Sequence, residues 1–563
     1  MTKIFKNQFA LIILLIFLII PTFWSLIRPG FFPMQDDLQA FRLFEMDKCF
    51  QDLQLPCRWI PDMGYQYGYP QFNFYSPGVF YLGWMFHLLG MQFIDVVKLL
   101  FVLGFILSAV VMFIFLRAIL GNLAALVGSL LYSYLPFKAV EVYVRGSLSE
   151  FWALVIFPLL FWSSYQLITT QKKRYGFWLA ASVGFMFLTH NLLSILIFPL
   201  LVVWCVVILG IEKRWILISW LIGFGFLGLG LASFFVLPVL FEKQFVHTET
   251  LLSGYFDYRQ HFVPLEKIFL SNEWGYGSSN LGQTEDLNLS TGIVQWVVGL
   301  LGFILSIFFW HKDKKNSALV FVIGILTALS LFMVHQKSSF GWSLIPVLSW
   351  LQFPWRFLAI SGFLLSILSA AAIYFLQKWS KISQVVAVIV VLTAISLTSS
   401  FYQPKDWLNI SDQEKFSGTS WEKQLTISIF DYLPIYAMFP PNKKAPELPE
   451  VLVGNTQFQT YNKRSNFQQS TAKVTENSII RLPLFDFPGM QVKVDGQVIT
   501  HYHDDCRHQE FCLGLVTFDL PFGNHNIVTK LENTPIRTLG NLVTVGSLII
   551  FGVGVFKKKL WKL

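Results

Sequence analysis

Apolar runs of about 20 residues recur along almost the whole chain, and they restrict its fold more than any other feature. Such a run, wound as a helix, matches the hydrocarbon thickness of a bilayer. Twelve can be read, at 8–28, 95–116, 122–139, 150–169, 176–190, 192–210, 215–238, 293–310, 317–334, 356–376, 384–401 and 538–556. Of 563 residues, 54% are hydrophobic and 13% charged, with 58 Phe and 19 Trp, which leaves too little polar surface for an ordinary soluble domain. The fold class is therefore a polytopic α-helical membrane protein with about 12 transmembrane helices.

Charge sets the expected orientation. Counted from a cytoplasmic N-terminus, the spans place Lys3, Lys6, Arg117, Lys172, Lys173, Arg174, Lys213, Arg214, Lys312, Lys314, Lys315, Lys378, Lys381, Lys557, Lys558 and Lys559 on one face, opposed there only by Glu212 and Asp313. This is the positive-inside pattern, and it predicts a multi-pass cell-membrane protein with both termini cytoplasmic. The register holds if "VFYLGWMFHLLG", 79–90, lies in or re-enters the outer interface rather than spanning. The first run reads as a retained span, because it is long, continues into Arg28 and lacks a small-residue cleavage site. The formal net charge of +9 is absorbed by this sidedness, and no basic stripe with interleaved aromatics suggests nucleic acid.

Three segments are then large and outward-facing. Residues 29–94 carry an amphipathic stretch, "DLQAFRLFEMDKCF", and an aromatic, turn-rich run, "WIPDMGYQYGYPQFNFYSPGVFY", both expected on the membrane surface. Residues 239–292 form a second outer loop, inside a transmembrane domain taken as 1–401. Residues 402–537 read as an extracytoplasmic β-rich domain: "MQVKVDGQVITHY" and "LGLVTFDLPFGNHNIVTKL" alternate with period two around turn residues. Residues 538–563 supply a last transmembrane helix and a basic cytoplasmic tail. Cys49 and Cys57, and Cys506 and Cys512, are close pairs on the oxidising side and are disulfide candidates, whereas Cys205 sits in a span. "HYHDDCRHQEFC", 501–512, has no recognisable zinc spacing and reads as a disulfide-closed loop, so no metal ligand is assigned.

Polar residues collect at the outer ends of the spans. Asp36 and Asp37 lie just beyond the first. The plain reading is that one caps the helix starting near Leu38, but two adjacent like charges exceed what a cap requires. A carboxylate at a partly desolvated lip can also serve as a general base. Arg145 and Glu150 in "VYVRGSLSEFWA", His190 and Asn191 in "LTHN", His335 with Lys337 in a segment expected to re-enter the membrane, and Arg356 just after it in "LQFPWRF" fall on the same side. Singly these could be an ion pair across a turn, a turn residue or a snorkelling arginine. Together they suit a substrate with a phosphate headgroup and a lipid tail.

The first span, the acidic pair after it, the surface helix and the second acid after the third span resemble the GT-C superfamily of membrane glycosyltransferases. "RGSLSEFWA", "LTHN", "LQFPWRF", "FPGMQVKVDGQ", "LPFGNHNI" and "ENTPIRTLGN" resemble the bacterial membrane proteins of the 6-pyruvoyl-tetrahydropterin-synthase-related, YfhO-like family. The resemblance implies a hexosyltransferase-type enzyme. It would move a sugar, with inversion, from a polyprenyl-phosphate donor to a cell-envelope glycan or lipid acceptor on the outer face. Asp36 or Asp37 would be the base, Arg145, His190 or Arg356 would stabilise the leaving phosphate, and Glu150 would orient the acceptor or a divalent metal. The family often has Asp at this second position, which leaves the role of Glu150 open. No cofactor is required by this reading, although a divalent metal is compatible with it. The rivals are a transporter or flippase of a lipid-linked glycan, which should show repeats and mid-span polar groups, and a non-catalytic envelope scaffold.

Overall fold

The computed structural model describes residues 7–280, 287–377 and 379–556. Lys3, Lys6, Lys378, Lys557, Lys558 and Lys559, part of the basic pattern above, lie outside them. Among the described residues seven helices are long and apolar enough to cross a membrane, or nine if two bent pairs each count as one span. The runs at 8–28 and 293–310 give shorter apolar helices, Gln8–Thr22 and Ile293–Phe308, and the run at 176–190 gives Lys173–Thr189. The expected twelve spans are thus met in part.

Helix Phe357–Leu376 is buried along nearly its whole length, packed against Asn122–Ser133, Ile293–Phe308 and Lys314–Val334. Small residues permit the approach: a Cβ on Gly302 would sit 2.0 Å from the Leu368 carbonyl oxygen. At the periphery, Ser380–Thr398 exposes Val385, Val388, Ile389 and Leu392, and Pro535–Phe556 exposes Leu542, Ile549, Ile550 and Val553. Apolar stripes at this spacing on outer helices are the surfaces that hydrocarbon would cover.

The two bends shape the rest. Asn122–Ser133 turns by 45° into Pro136–Val144, where Pro136 cannot continue the hydrogen-bond ladder. This arm ends in a π-turn, Val140–Val144, that presents Glu141 and Arg145. Trp215–Leu231 turns by 78° into Ser233–Phe245. Thr544 of the last span satisfies the backbone freed there, its Oγ1 accepting from Phe234 N at 2.9 Å and donating to Gly230 O at 3.1 Å.

"VFYLGWMFHLLG" gives only the ten-residue helix Gly78–His87, and 336–351 forms three short helices, Gln336–Ser338, Ser339–Leu344 and Pro346–Leu351. The expected β domain starts later than its composition suggests. Residues 402–449 hold two short helices, Asp412–Lys415 and Gly418–Thr426, and pack on the helical body through Tyr402, Leu425 and Ile429. The antiparallel sheet comprises β1 (Glu450–Lys463), β2 (Phe467–Phe485), β3 (Met490–Val494), β4 (Gln497–Ile499), β5 (Leu515–Leu520) and β6 (Gly523–Leu531), ordered β1-β2-β6-β3-β4 with β5 also on β2. Asp495 and Gly496, with φ of 51° and 83°, make the β3–β4 turn that the Asp-Gly pair predicts.

The amphipathic and aromatic stretches of the first loop, expected on the membrane surface, are largely covered by the chain itself. Helix Gln39–Gln51 buries Phe41, Arg42, Leu43, Glu45 and Met46, and Phe416 stacks on its Phe44. Trp59, Tyr67 and Phe74 belong to the core of the sheet, with Ile480, Leu482, Phe485, Val516 and Phe518. The reason is competition: an apolar face offered by 402–449 and the sheet buries the aromatics more completely than an interface would.

Candidate active site

The segment after the first span is clipped to the π-turn, Gln35 N donating to Val144 O at 3.0 Å and Asp36 N to Arg145 O at 2.8 Å. This fixes the two carboxylates, and their side chains part. Asp36 accepts from Arg42 Nη1 at 3.1 and 2.9 Å and from Gln39 Nε2 at 2.8 Å, and it lines a cavity of about 590 Å³. Asp37 turns to Lys415, 2.7 Å away and almost fully buried. Burial raises the Asp37 carboxyl above its ordinary range, against the pull of Lys415. Neither caps the helix: Leu38 occupies the N-cap with no side-chain cap bond, which corrects the plain reading.

Glu150 is completely buried and is not among the cavity-lining residues. Arg145 Nη1 donates to it at 2.9 Å and Arg356 Nε at 3.2 Å, while His190 Nε2 stands 3.8 Å off. Arg145 also pairs with buried Glu141, and Arg356 Nη1 donates to Leu351 O at 2.6 Å and Gln352 Oε1 at 3.1 Å. Charge-assisted bonds of this kind lock both guanidiniums in place. His190 Nδ1 accepts from Leu193 N at 3.0 Å, so its ring proton sits on Nε2, toward the carboxylate.

Arg145, His190, Asn191 and Arg356 all line the cavity with Asp36, whereas His335 does not, its Nδ1 accepting from Lys337 N at 3.2 Å in a neighbouring turn. The cavity also gathers Arg42, Lys243, Gln352, Asp431 and Tyr432, which sequence reading did not select. Arg42 was hidden in an apparently amphipathic helix; its guanidinium lies 4.1 Å over the Tyr75 ring. Asp431 comes from a segment with no periodicity, and burial pushes its carboxyl up to about 6 although Arg42 opposes the shift. Four cationic side chains, of Arg42, Arg145, Lys243 and Arg356, thus line the cavity against two carboxylates, of Asp36 and Asp431. Arg42 Nε, Thr189 Oγ1 and Trp355 Nε1, from lining residues, are buried donors that find no hydrogen-bond partner among the described residues. Beyond them the wall turns apolar, through Phe187, Leu192, Ile195, Phe235 and Val236.

Both cysteine pairs are bridged, Cys49 to Cys57 and Cys506 to Cys512, with Cα–Cα distances of 5.5 and 4.9 Å. His501 and His503 both meet Asp486, at 3.3 and 3.0 Å, and Tyr436 stacks on His503. Among the described residues no three His, Cys, Asp or Glu side chains converge as a metal site would require. Glu150, the acid expected to orient a metal, is committed to two guanidiniums, so the residues present do not fit a metal there.

No family model and no curated protein matches the chain. Among solved structures, the mycobacterial arabinofuranosyltransferase AftD is similar over 72% of this chain and 28% of its own, with 14% identity and a TM-score of 0.45. The Archaeoglobus fulgidus oligosaccharyltransferase tethered with an acceptor peptide is similar over 71% and 56%, with 14% identity and a TM-score of 0.42. The same organism's AglB, in complex with an inhibitory peptide and a dolichol-phosphate, is similar over 77% and 62%, with 13% identity and a TM-score of 0.42. The chain spans less than two thirds of the length of each of these proteins.

Proposed function

We propose that this chain is a GT-C-type membrane glycosyltransferase that moves a sugar, with inversion, from a polyprenyl-phosphate donor to a cell-envelope acceptor. Its site faces outward, and both termini are cytoplasmic. One observation carries the reading: a single cavity joins an exposed carboxylate and an excess of guanidinium and ammonium groups to an apolar wall. Such a cavity suits a ligand that is anionic at one end and hydrocarbon at the other.

Asp36 is the base in this proposal, because its carboxylate is oriented by Arg42 yet remains 31% exposed to the cavity. It takes the proton of the acceptor hydroxyl as that oxygen attacks the anomeric carbon. The bond from that carbon to the phosphate oxygen breaks on the opposite face, and the electron pair leaves with the lipid phosphate. Arg145 and Arg356, held by Glu150, stabilise the charge that develops there. Glu150 acts as a positioning residue rather than a ligand. Asp37 has a structural part, tying the first loop to Lys415.

The test is transfer from a panel of radiolabelled polyprenyl-phosphate sugars onto envelope extract, using protein reconstituted in liposomes. Asp36→Asn should lower the rate by about 10²–10⁴-fold, the usual range for a general base. Asp37→Asn should lower the rate far less, because Asp37 bonds to Lys415 and does not line the cavity. Equal activity of wild type and Asp36→Asn refutes the assignment of the base.

A further inference from the structure

A second cavity, of about 550 Å³, lies between the C-terminal half of helix Gln39–Gln51, the loop around Asp62, and the end of β1 with the turn that follows it. Its size falls in the range of small-molecule sites, about 300–1,000 Å³. Unlike the first, it is walled mainly by polar groups. Lys48, Lys463 and Arg464 face it alongside Asp52, Asp62 and Glu447, so the formal charges cancel.

These groups are already oriented by one another. Lys48 is shared between Glu45, at 3.1 Å, and Asp62. Arg464 Nη1 donates to Asp52 Oδ1 at 3.1 Å, and Ser465 N to Asp52 Oδ2 at 2.6 Å. Lys463 Nζ donates to the Gln66 carbonyl. An ammonium has three donors, so Lys463 keeps donor capacity beyond that bond. Gln51, Asn462 and Tyr461 also line it, together with Pro61, Ala445 and Pro446.

The chemistry selects among ligands. A phosphate would meet three carboxylates, and a polycation would meet three cations. A neutral sugar ring offers hydroxyls that both donate and accept, which a charge-balanced wall of carboxylate, ammonium, guanidinium and amide can match, and a C–H face for an aromatic ring. Position adds the second argument. Arg42, which holds Asp36, and Lys48, which walls the second cavity, are six residues apart on one helix, about 9 Å of axial rise. The two cavities are therefore neighbours along a rigid element.

We infer that the second cavity is a saccharide subsite that holds a neutral sugar unit of the acceptor, away from the hydroxyl that reacts at Asp36. The acceptor role rests on the transferase reading; saccharide binding does not. The test is titration of full-length protein in nanodiscs with neutral linear gluco-, manno- and galacto-oligosaccharides, with inorganic phosphate and a hexose 6-phosphate as anionic probes. At least one neutral oligosaccharide should bind. Gln51→Ala and Asn462→Ala, both at exposed side chains, should weaken it at least tenfold with unchanged thermal unfolding. Binding of no neutral oligosaccharide, binding indifferent to both variants, or preference for the anionic probes would each overturn the inference. Binding that persists at this cavity while wild type transfers no sugar leaves the saccharide site standing and counts against the transferase reading alone.

Discussion

Replacement of Asp431 by Asn should stabilise the protein at neutral pH, which is unusual for the loss of a charged cavity residue. The Asp431 carboxyl is pushed up to about 6 by burial, from an ordinary value of 3.8. Below pH 3.8 it is protonated in both folded and unfolded chains and contributes nothing. As pH rises from 3.8 toward 6 the unfolded chain ionises first, so the folded state loses stability, and the loss is complete above about 6. At about 1.4 kcal/mol per pH unit, the gap is worth about 3 kcal/mol. Asn keeps the shape and removes the titration. The assay is the thermal unfolding midpoint of wild type and Asp431→Asn in detergent, between pH 3.5 and 8. The midpoints should converge at the acid end, with the variant unfolding progressively later as pH rises, the gap levelling off above about 6. A variant that unfolds earlier than wild type at pH 7 would show that Arg42 stabilises this carboxylate by more than burial costs it, and a gap that does not depend on pH would show that the two effects cancel; either result refutes the reasoning. The expected result would mark Asp431 as a residue kept at the expense of stability, as functional cavities commonly are.

Two further predictions concern the scaffold. Replacing Cys49 and Cys57 by Ser together removes a bridge across eight residues and should cost about 2–3 kcal/mol; the wild-type midpoint should fall to the variant's on reduction, provided the bridge Cys506–Cys512 is also replaced in both. Glu242 accepts from Arg537 Nε and Asn73 Nδ2, both at 2.9 Å, and joins the bent helix to the last span and the first loop. Glu242→Gln strands the buried Arg537 guanidinium and should cost about 3–5 kcal/mol, read as a lowered midpoint and faster proteolysis, whereas a variant as stable as wild type would mean that Arg537 finds another partner.

What the sequence made legible follows from range. Apolar runs and the Asp-Gly hairpin are local signals: among the described residues seven of the runs, or nine with the bent pairs, appear as long apolar helices, and the hairpin appears as the β3–β4 turn. The parting of Asp36 and Asp37 is not local: it depends on pairing with the π-turn at Val144 and Arg145 and on Lys415, hundreds of residues away. Arg42 looked like the polar face of a surface helix, because nothing near it announces that 402–449 and the sheet will cover it. Glu150 stood out as an acid at a span end, but only the fold shows that it is buried and that its two oxygens are taken up by Arg145 and Arg356. A cue was available for Arg42 alone, since an arginine six residues after Asp36 lies within reach once the intervening turn is known.

The shared core of the first loop and the sheet sets a timetable for synthesis. Trp59 meets Phe487 at 5.8 Å between ring centroids, and Tyr67 meets Phe485 at 5.4 Å. Roughly 400 residues separate these partners, which at about 5–20 residues per second is a delay of about 20–80 s. During that interval the loop's aromatic face has emerged but its covering has not been made. The N-terminal part of this protein therefore cannot finish folding while it is being translated, and a chain shortened before Glu450 would leave that face open for chaperones or proteases to find.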